Sequence, residues 1–130
     1  MTINKNLTIV IIVEDETEQR EALKLFLTAE GYTVMGCTSA EEALDKIHSV
    51  RPDLLVSDIK LPGMDGITFF HEIKKNERLC NIPFFFISAF NDPQTISSVQ
   101  SLGAVAYITK PYDLDDFLKV VKKNLPPATK

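Results

Sequence analysis

The sequence predicts an α/β protein: one five-stranded parallel sheet, doubly wound, with five helices covering both faces. Three observations carry this. Five short apolar runs alternate with five stretches of helical periodicity, and such alternation needs right-handed crossovers onto a parallel sheet. The runs are apolar nearly throughout, not at every second position, which suits strands covered on both faces. No repeat, low-complexity segment or internal linker divides the 130 residues, so the chain reads as one domain with room for a proper core.

The elements follow in order. Leu7 to Val13 is a β-branched run of strand length. Thr17 to Glu30 reads as helix, with Ala22, Leu23, Phe26 and Leu27 on one face and Gly31 as the stop. Thr33 to Cys37 is a weaker strand. Ser39 and Glu42 have capping-box spacing and open a helix through Ala43, Leu44 and Ile47. Pro52 ends that unit, and Leu54 to Ser57 is the next apolar run. Asp65 can cap a helix carrying Ile67, Phe70 and Ile73. Pro83 to Ile87 is apolar and aromatic, hence a buried strand. Asp92-Pro93 pairs an N-cap with proline at the first helical position, and Gly103 closes that helix. Ala106 to Thr109 is a short strand. Asp113 opens a last helix on Leu114, Phe117, Leu118, Val121 and Leu125, stopped by Pro126-Pro127. Residues 126–130 read as a disordered tail or the start of a linker.

Composition narrows the function classes. With 14 basic and 18 acidic side chains the formal charge is −4, a poor basis for neutralising nucleic-acid phosphates. If the protein controls transcription, contact with DNA is therefore expected from another domain or partner. Cys37 and Cys80 show no metal or redox spacing and read as reduced thiols. The start, Met1 to Asn6, is polar, and the apolar run behind it ends at Glu14, too short to span a bilayer. The expected location is the cytoplasm, without membrane contact.

In a doubly wound sheet, ligands bind beyond the carboxyl ends of the strands. Those ends carry Glu14 and Asp15, Asp58, Ser88 and Lys110. Any one of them is ordinarily a solvated residue or a helix cap; what matters is that a parallel sheet gathers them at one rim. Converging carboxylates repel unless a cation sits among them. Oxygen donors without His or Cys select magnesium, manganese or calcium, and few protein ligands leave room for waters and a phosphate, which suits magnesium. Lys110 supplies a point charge for phosphate oxygens and Ser88 a hydroxyl donor. Together these describe phosphoryl transfer, where charge stabilisation and positioning do most of the work, with Asp58 as the nucleophile.

The stretches Val13-Glu14-Asp15-Glu16, Ser57 to Gly66, Ile87-Ser88-Ala89 and Tyr107-Ile108-Thr109-Lys110-Pro111 resemble the motifs of response-regulator receiver domains of the CheY-like superfamily. The resemblance covers roughly Leu7 to Leu125. It implies a flavodoxin-like strand order 2-1-3-4-5, which the alternation alone leaves open. It also implies phosphorylation at Asp58, with a phosphoryl contact from Lys110. The implied Mg2+ ligands are Asp15 and Asp58, Glu14 through a water, and the backbone carbonyl of Lys60. Ser88 and Tyr107 match the switch pair, Ala89 the small position beside it, and the bond before Pro111 one that is usually cis. The partners implied are a sensor histidine kinase or histidine phosphotransfer protein, and downstream a protein target or an output domain. On this reading the chain catalyses only its own phosphorylation and dephosphorylation.

The departures are a Glu-Asp acidic pair in place of Asp-Asp and Ser in place of the commoner Thr at 88. By the same resemblance, Lys60 and Phe90 match family positions that flank the approach of water to an acyl phosphate. The main alternative is a phosphorylation-independent interaction module of receiver fold, which predicts missing site residues. A haloacid-dehalogenase-type hydrolase would want a second Asp where Lys60 stands. A flavodoxin would want a Ser/Thr/Gly-rich phosphate loop where Glu14-Asp15-Glu16 would repel the phosphate.

Overall fold

A computed structural model of the protein describes residues 7–125. The polar start and the expected tail at 126–130, with its Pro-Pro stop, lie outside the described residues. The strands are β1 (Ile9–Val13), β2 (Thr33–Cys37), β3 (Leu54–Asp58), β4 (Phe84–Ser88) and β5 (Ala106–Thr109). The helices are α1 (Thr17–Ala29), α2 (Ala40–Ile47), α3 (Gly66–Lys74), α4 (Pro93–Gln100) and α5 (Leu114–Asn124). All strand pairs are parallel, in the order β2-β1-β3-β4-β5. No helix among the described residues is long and apolar enough to cross a membrane.

The three inner strands are apolar except for Ser57, Asp58 and Ser88 toward their carboxyl ends, because both of their faces are covered: β3 and β4 are buried at every position. Side chains alternate between the faces. Ile11, Val13, Leu55, Phe84 and Phe86 pack with residues of α2, α3 and α4. Val10, Ile12, Val56, Phe85 and Ile87 pack with residues of α1 and α5. The Phe84-Phe85-Phe86 run is thus divided between two half-cores, Phe84 meeting Phe70 edge-on at 5.0 Å and Phe85 facing Phe117 at 6.2 Å. The edge strands β2 and β5 are only partly covered.

Helix starts follow the capping residues. Asp65, Asp92 and Asp113 each accept the N–H three residues on, at 2.7, 2.9 and 3.1 Å. Ser39 accepts from Glu42 N–H at 3.1 Å, but Glu42 returns its carboxylate to Thr38 rather than to Ser39. Several boundaries differ from the sequence reading. β1 starts at Ile9, not Leu7, because the Ile9 N–H turns aside to the Asp53 carboxylate at 2.8 Å. α1 ends at Ala29, since Glu30 and Gly31 bond three residues back and Gly31 takes φ 101°, the left-handed turn that ends a helix. β4 starts at Phe84: Pro83 has no N–H to donate, although its carbonyl accepts from Leu55. Cys37 is buried, and burial pushes its thiol up to about 11, so it is inert at neutral pH.

Candidate functional site

The strands deliver their charged residues to one rim. Glu14 directly follows β1, Asp58 and Ser88 are the last residues of β3 and β4, and Lys110 directly follows β5. Asp58 and Ser88 lie inside their strands because the ladder runs one residue further than the apolar pattern: Asp58 pairs with Ile87 and Ser88 with Thr109. Glu14, Asp15 and Asp58 bring one carboxylate oxygen each within 4.8 Å of one another. The Lys110 ammonium donates to Asp58 Oδ2 at 2.6 Å and to Glu14 Oε1 at 2.7 Å. Glu14 Oε2 accepts from the Glu16 N–H at 3.1 Å, and Asp58 Oδ1 accepts from the Lys60 N–H at 3.2 Å. Glu14 and Asp58 are buried, whereas Asp15 is exposed to the cleft.

One ammonium against three carboxylates leaves the cluster negative. A cluster of hard oxygen donors without imidazole or thiolate fits a magnesium-like cation and not zinc. Burial pushes the Glu14 carboxyl above the usual range, and the charge of Asp58 pushes the same way; the bonds from Lys110 and the Glu16 N–H only partly oppose this. For Lys110, burial acts downward, but its bonds to Asp58 and Glu14 outweigh it and the net direction is up, so it stays cationic.

The Glu14 shift fixes a sign. A carboxyl with a raised folded pKa holds its proton more tightly when folded. Its stability contribution is therefore fully present below the unfolded pKa and is lost as pH rises through the folded one. At neutral pH the buried charge costs stability. Glu14→Gln keeps one oxygen to accept from Lys110 and loses the acceptor facing the Glu16 N–H; removal of the buried charge should outweigh that loss and raise the metal-free melting temperature at neutral pH by about 2–5 °C. The gain should vanish at a pH below the carboxylate range. Melts in EDTA at the two pH values check this, and an unchanged melting temperature at neutral pH refutes it.

On the β4 side, Ser88 Oγ accepts from the Phe90 N–H at 3.0 Å, and Tyr107 Oη donates to the Phe90 carbonyl at 2.7 Å. Residue 90 is thus held from both ends by the side chains of Ser88 and Tyr107. The Lys110–Pro111 bond is cis, and the Lys110 N–H bonds the Ser88 carbonyl at 2.7 Å, tying β5 to β4 at the rim. An open cleft of about 1060 Å³ lies over the site, lined by Asp15, Asp58, Lys60, Ser88, Phe90 and Lys110 among others.

Sequence reasoning missed three supports of this rim. Arg20 of α1 donates to the Glu14 carbonyl at 2.9 Å. Glu41 of α2 accepts from the Met64 N–H at 3.0 Å, bracing the loop after β3 where Gly63 takes φ +75°. Gly66 N–H bonds the Ile59 carbonyl at 2.8 Å, bringing the start of α3 against the end of β3. Only Gly66 had a signal in the chain, through its place in the Asp58-to-Gly66 stretch.

Comparisons with known proteins agree with this geometry. The family profile described as response regulator receiver domain matches residues 10–122. Sporulation initiation phosphotransferase F of Bacillus subtilis (strain 168) is 34% identical over 117 residues, 90% of this chain and 93% of that protein. The DNA-binding transcriptional regulator NtrC of Klebsiella pneumoniae is 33% identical over 114 residues, 88% of this chain but only 24% of the relative. The signal receiver domain of a signal transduction histidine kinase from Syntrophus aciditrophicus has a TM-score of 0.84 at 32% identity, covering 91% of this chain and 89% of that one. With the family profile spanning most of the chain and a relative matched over nearly its whole length, this protein belongs to the response regulator receiver domain family of two-component systems.

Proposed function

We propose that the chain is the phospho-accepting receiver of a phosphorelay, taking a phosphoryl group from a partner's phosphohistidine onto Asp58 in the cytoplasm. The observation that carries this is the Lys110 ammonium lying between Asp58 and Glu14 at the strand-end rim, with Asp15 completing the acidic cluster. Glu14, Asp15, Asp58 and the backbone carbonyl of Lys60 are the groups that would hold Mg2+. When bound, the ion offsets the negative charge of the cluster and of the incoming phosphoryl oxygens.

The chain's own residues do the rest. An Asp58 carboxylate oxygen attacks phosphorus; the O–P bond forms as the N–P bond breaks, and the electron pair returns to the donor imidazole. Lys110 holds positive charge against the transferring oxygens and Ser88 offers its hydroxyl. A Ser88 hydroxyl engaged by the phosphoryl group changes its hold on Phe90, and Tyr107 bonds the same residue. The change so passes to the β4–α4 loop and to the α4-β5-α5 face, where a protein target or an output domain would read it. The DNA-binding activity named for the NtrC relative would reside outside a domain of this kind. The reaction modifies the chain itself, so the role is signalling and not turnover of a metabolite.

The test is incubation with acetyl phosphate, with and without Mg2+, followed by intact mass. A gain of one phosphoryl group that requires Mg2+ is expected. No gain under any condition, with no Mg2+ binding, would instead identify an interaction module that works without phosphorylation. Phe90 is 45% exposed at the cleft, where its ring can shield an acyl phosphate from water. Phe90→Glu should shorten the phosphoryl half-life roughly tenfold by placing a carboxylate where it can orient water. Decay of the phosphorylated mass with time measures this, and an unchanged rate removes the idea.

A further inference from the structure

We infer that Arg20, seated over Gly36, is a positioning residue for the acidic pair. The inference rests on the reading that Glu14 and Asp15 hold a divalent cation. The Glu14 carbonyl belongs to the peptide that joins the two acidic residues, so its direction sets how both side chains leave the backbone. Sheet bonding fixes the near end, through the Glu14 N–H donating to the Cys37 carbonyl at 3.0 Å. Past that point β1 has ended, and Arg20 Nη1 takes the carbonyl at 2.9 Å in place of a strand partner.

Arg20 can reach it because β2 leaves room. Its side chain is only 12% exposed, and its methylenes lie across Gly36. A Cβ at position 36 would stand 3.2 Å from Arg20 Cδ and 3.3 Å from Cγ, and the three nearest atoms all belong to Arg20. Gly36 is not among the residues with positive φ, so its backbone does not require glycine. A strand interior ordinarily favours a β-branched residue and is weakened by glycine. The missing side chain therefore serves the arginine, and the two positions act as one device.

Charge and position predict opposite signs here. By Coulomb attraction and repulsion alone, removing the Arg20 cation from beside an acidic cluster tightens Mg2+ binding. Loss of the peptide's orientation weakens it, as loss of groups that orient metal ligands does by about 10–100-fold. Arg20→Met keeps the packing over Gly36 and removes the donor. Gly36→Val keeps Arg20 and displaces its methylenes, in a strand that welcomes valine.

The experiment is calorimetric titration of each full-length variant with Mg2+ alone, beside metal-free melting temperatures. The expected result is an Mg2+ dissociation constant raised at least about tenfold in both variants, in excess of any trend with metal-free stability. Affinity unchanged or tighter in either folded variant overturns the inference, as does a loss that merely tracks the fall in melting temperature across the two. If one variant does not fold, the other decides by the same criterion. Wild type that binds no Mg2+ refutes the reading of the acidic pair itself, an outcome visible before any variant is made.

Discussion

In Asp58→Asn, acetyl phosphate and Mg2+ should leave the mass of the protein unchanged, with the rate of phosphoryl uptake lowered by roughly three orders of magnitude or more. The amide oxygen is too weak a nucleophile to replace the carboxylate; Glu14 is buried and spends both its oxygens on Lys110 and the Glu16 N–H, and Asp15, at the cleft, is one of the groups proposed to hold the metal. The fold should not suffer. Three carboxylates lie within 4.8 Å of one another and two of them, Glu14 and Asp58, share one ammonium, so removing one relieves repulsion while the Asn oxygen still accepts from Lys110. The metal-free melting temperature should stay the same or rise, which separates loss of chemistry from loss of structure. Phosphorylation persisting in this variant at the wild-type rate would move the acceptor to another residue.

Gly66→Ala should give the largest structural effect. A Cβ on Gly66 would lie 2.1 Å from the Asp58 carbonyl oxygen and 2.9 Å from the Ile59 Cα. Both are backbone atoms, so no side chain can swing aside; either α3 withdraws or the end of β3 bends. Overpacking of this kind costs about 1–3 kcal/mol, and the Gly66–Ile59 bond is lost with it. The displacement falls on the residue proposed to carry the chemistry, and an error near 1 Å at a reacting group costs on the order of 10²-fold in rate. Urea unfolding should show a lower midpoint at unchanged slope. Acetyl phosphate uptake by the remaining folded protein should drop by about two orders of magnitude. Uptake at the wild-type rate would mean that α3 yields and Asp58 does not move.

The elements were legible because their signals are local. Apolar runs, Asp caps at 65, 92 and 113, and glycine stops each act within a few residues; the caps stand where the chain announces them, and the strand and helix ends fall close to their signals. Strand order is a different matter. Alternation fixes the hand of the crossovers but not which strands become neighbours, so the order came from the resemblance and then from the ladder itself. The rim residues could be gathered from the rule that strand ends share an edge, although Asp58 and Ser88 proved to be the last rungs of their strands.

The supports of the rim were hidden because each is a meeting of two unremarkable residues. Arg20 in the first turns of a helix reads as a solvated charge until Gly36 opens space beneath it. Glu41 reads as a helix N-terminal acid until the loop carrying Gly63 and Met64 folds onto it. No periodicity or spacing connects such pairs; only the packed sheet does.

The division of the Phe84-Phe85-Phe86 run between two half-cores has a consequence for how this protein tolerates change. The sheet works as a partition wall. Away from the rim cleft, which Leu23 of the α1-α5 compartment and Leu61 of the α2-α3-α4 compartment both line, the buried side chains fall into two separate clusters, so repacking one leaves the other's shape intact, and substitutions across the wall should combine additively. Drift can therefore rewrite either compartment separately. The exception is the rim, where loops from both compartments close over the same few side chains, and there a change on one side is felt on the other.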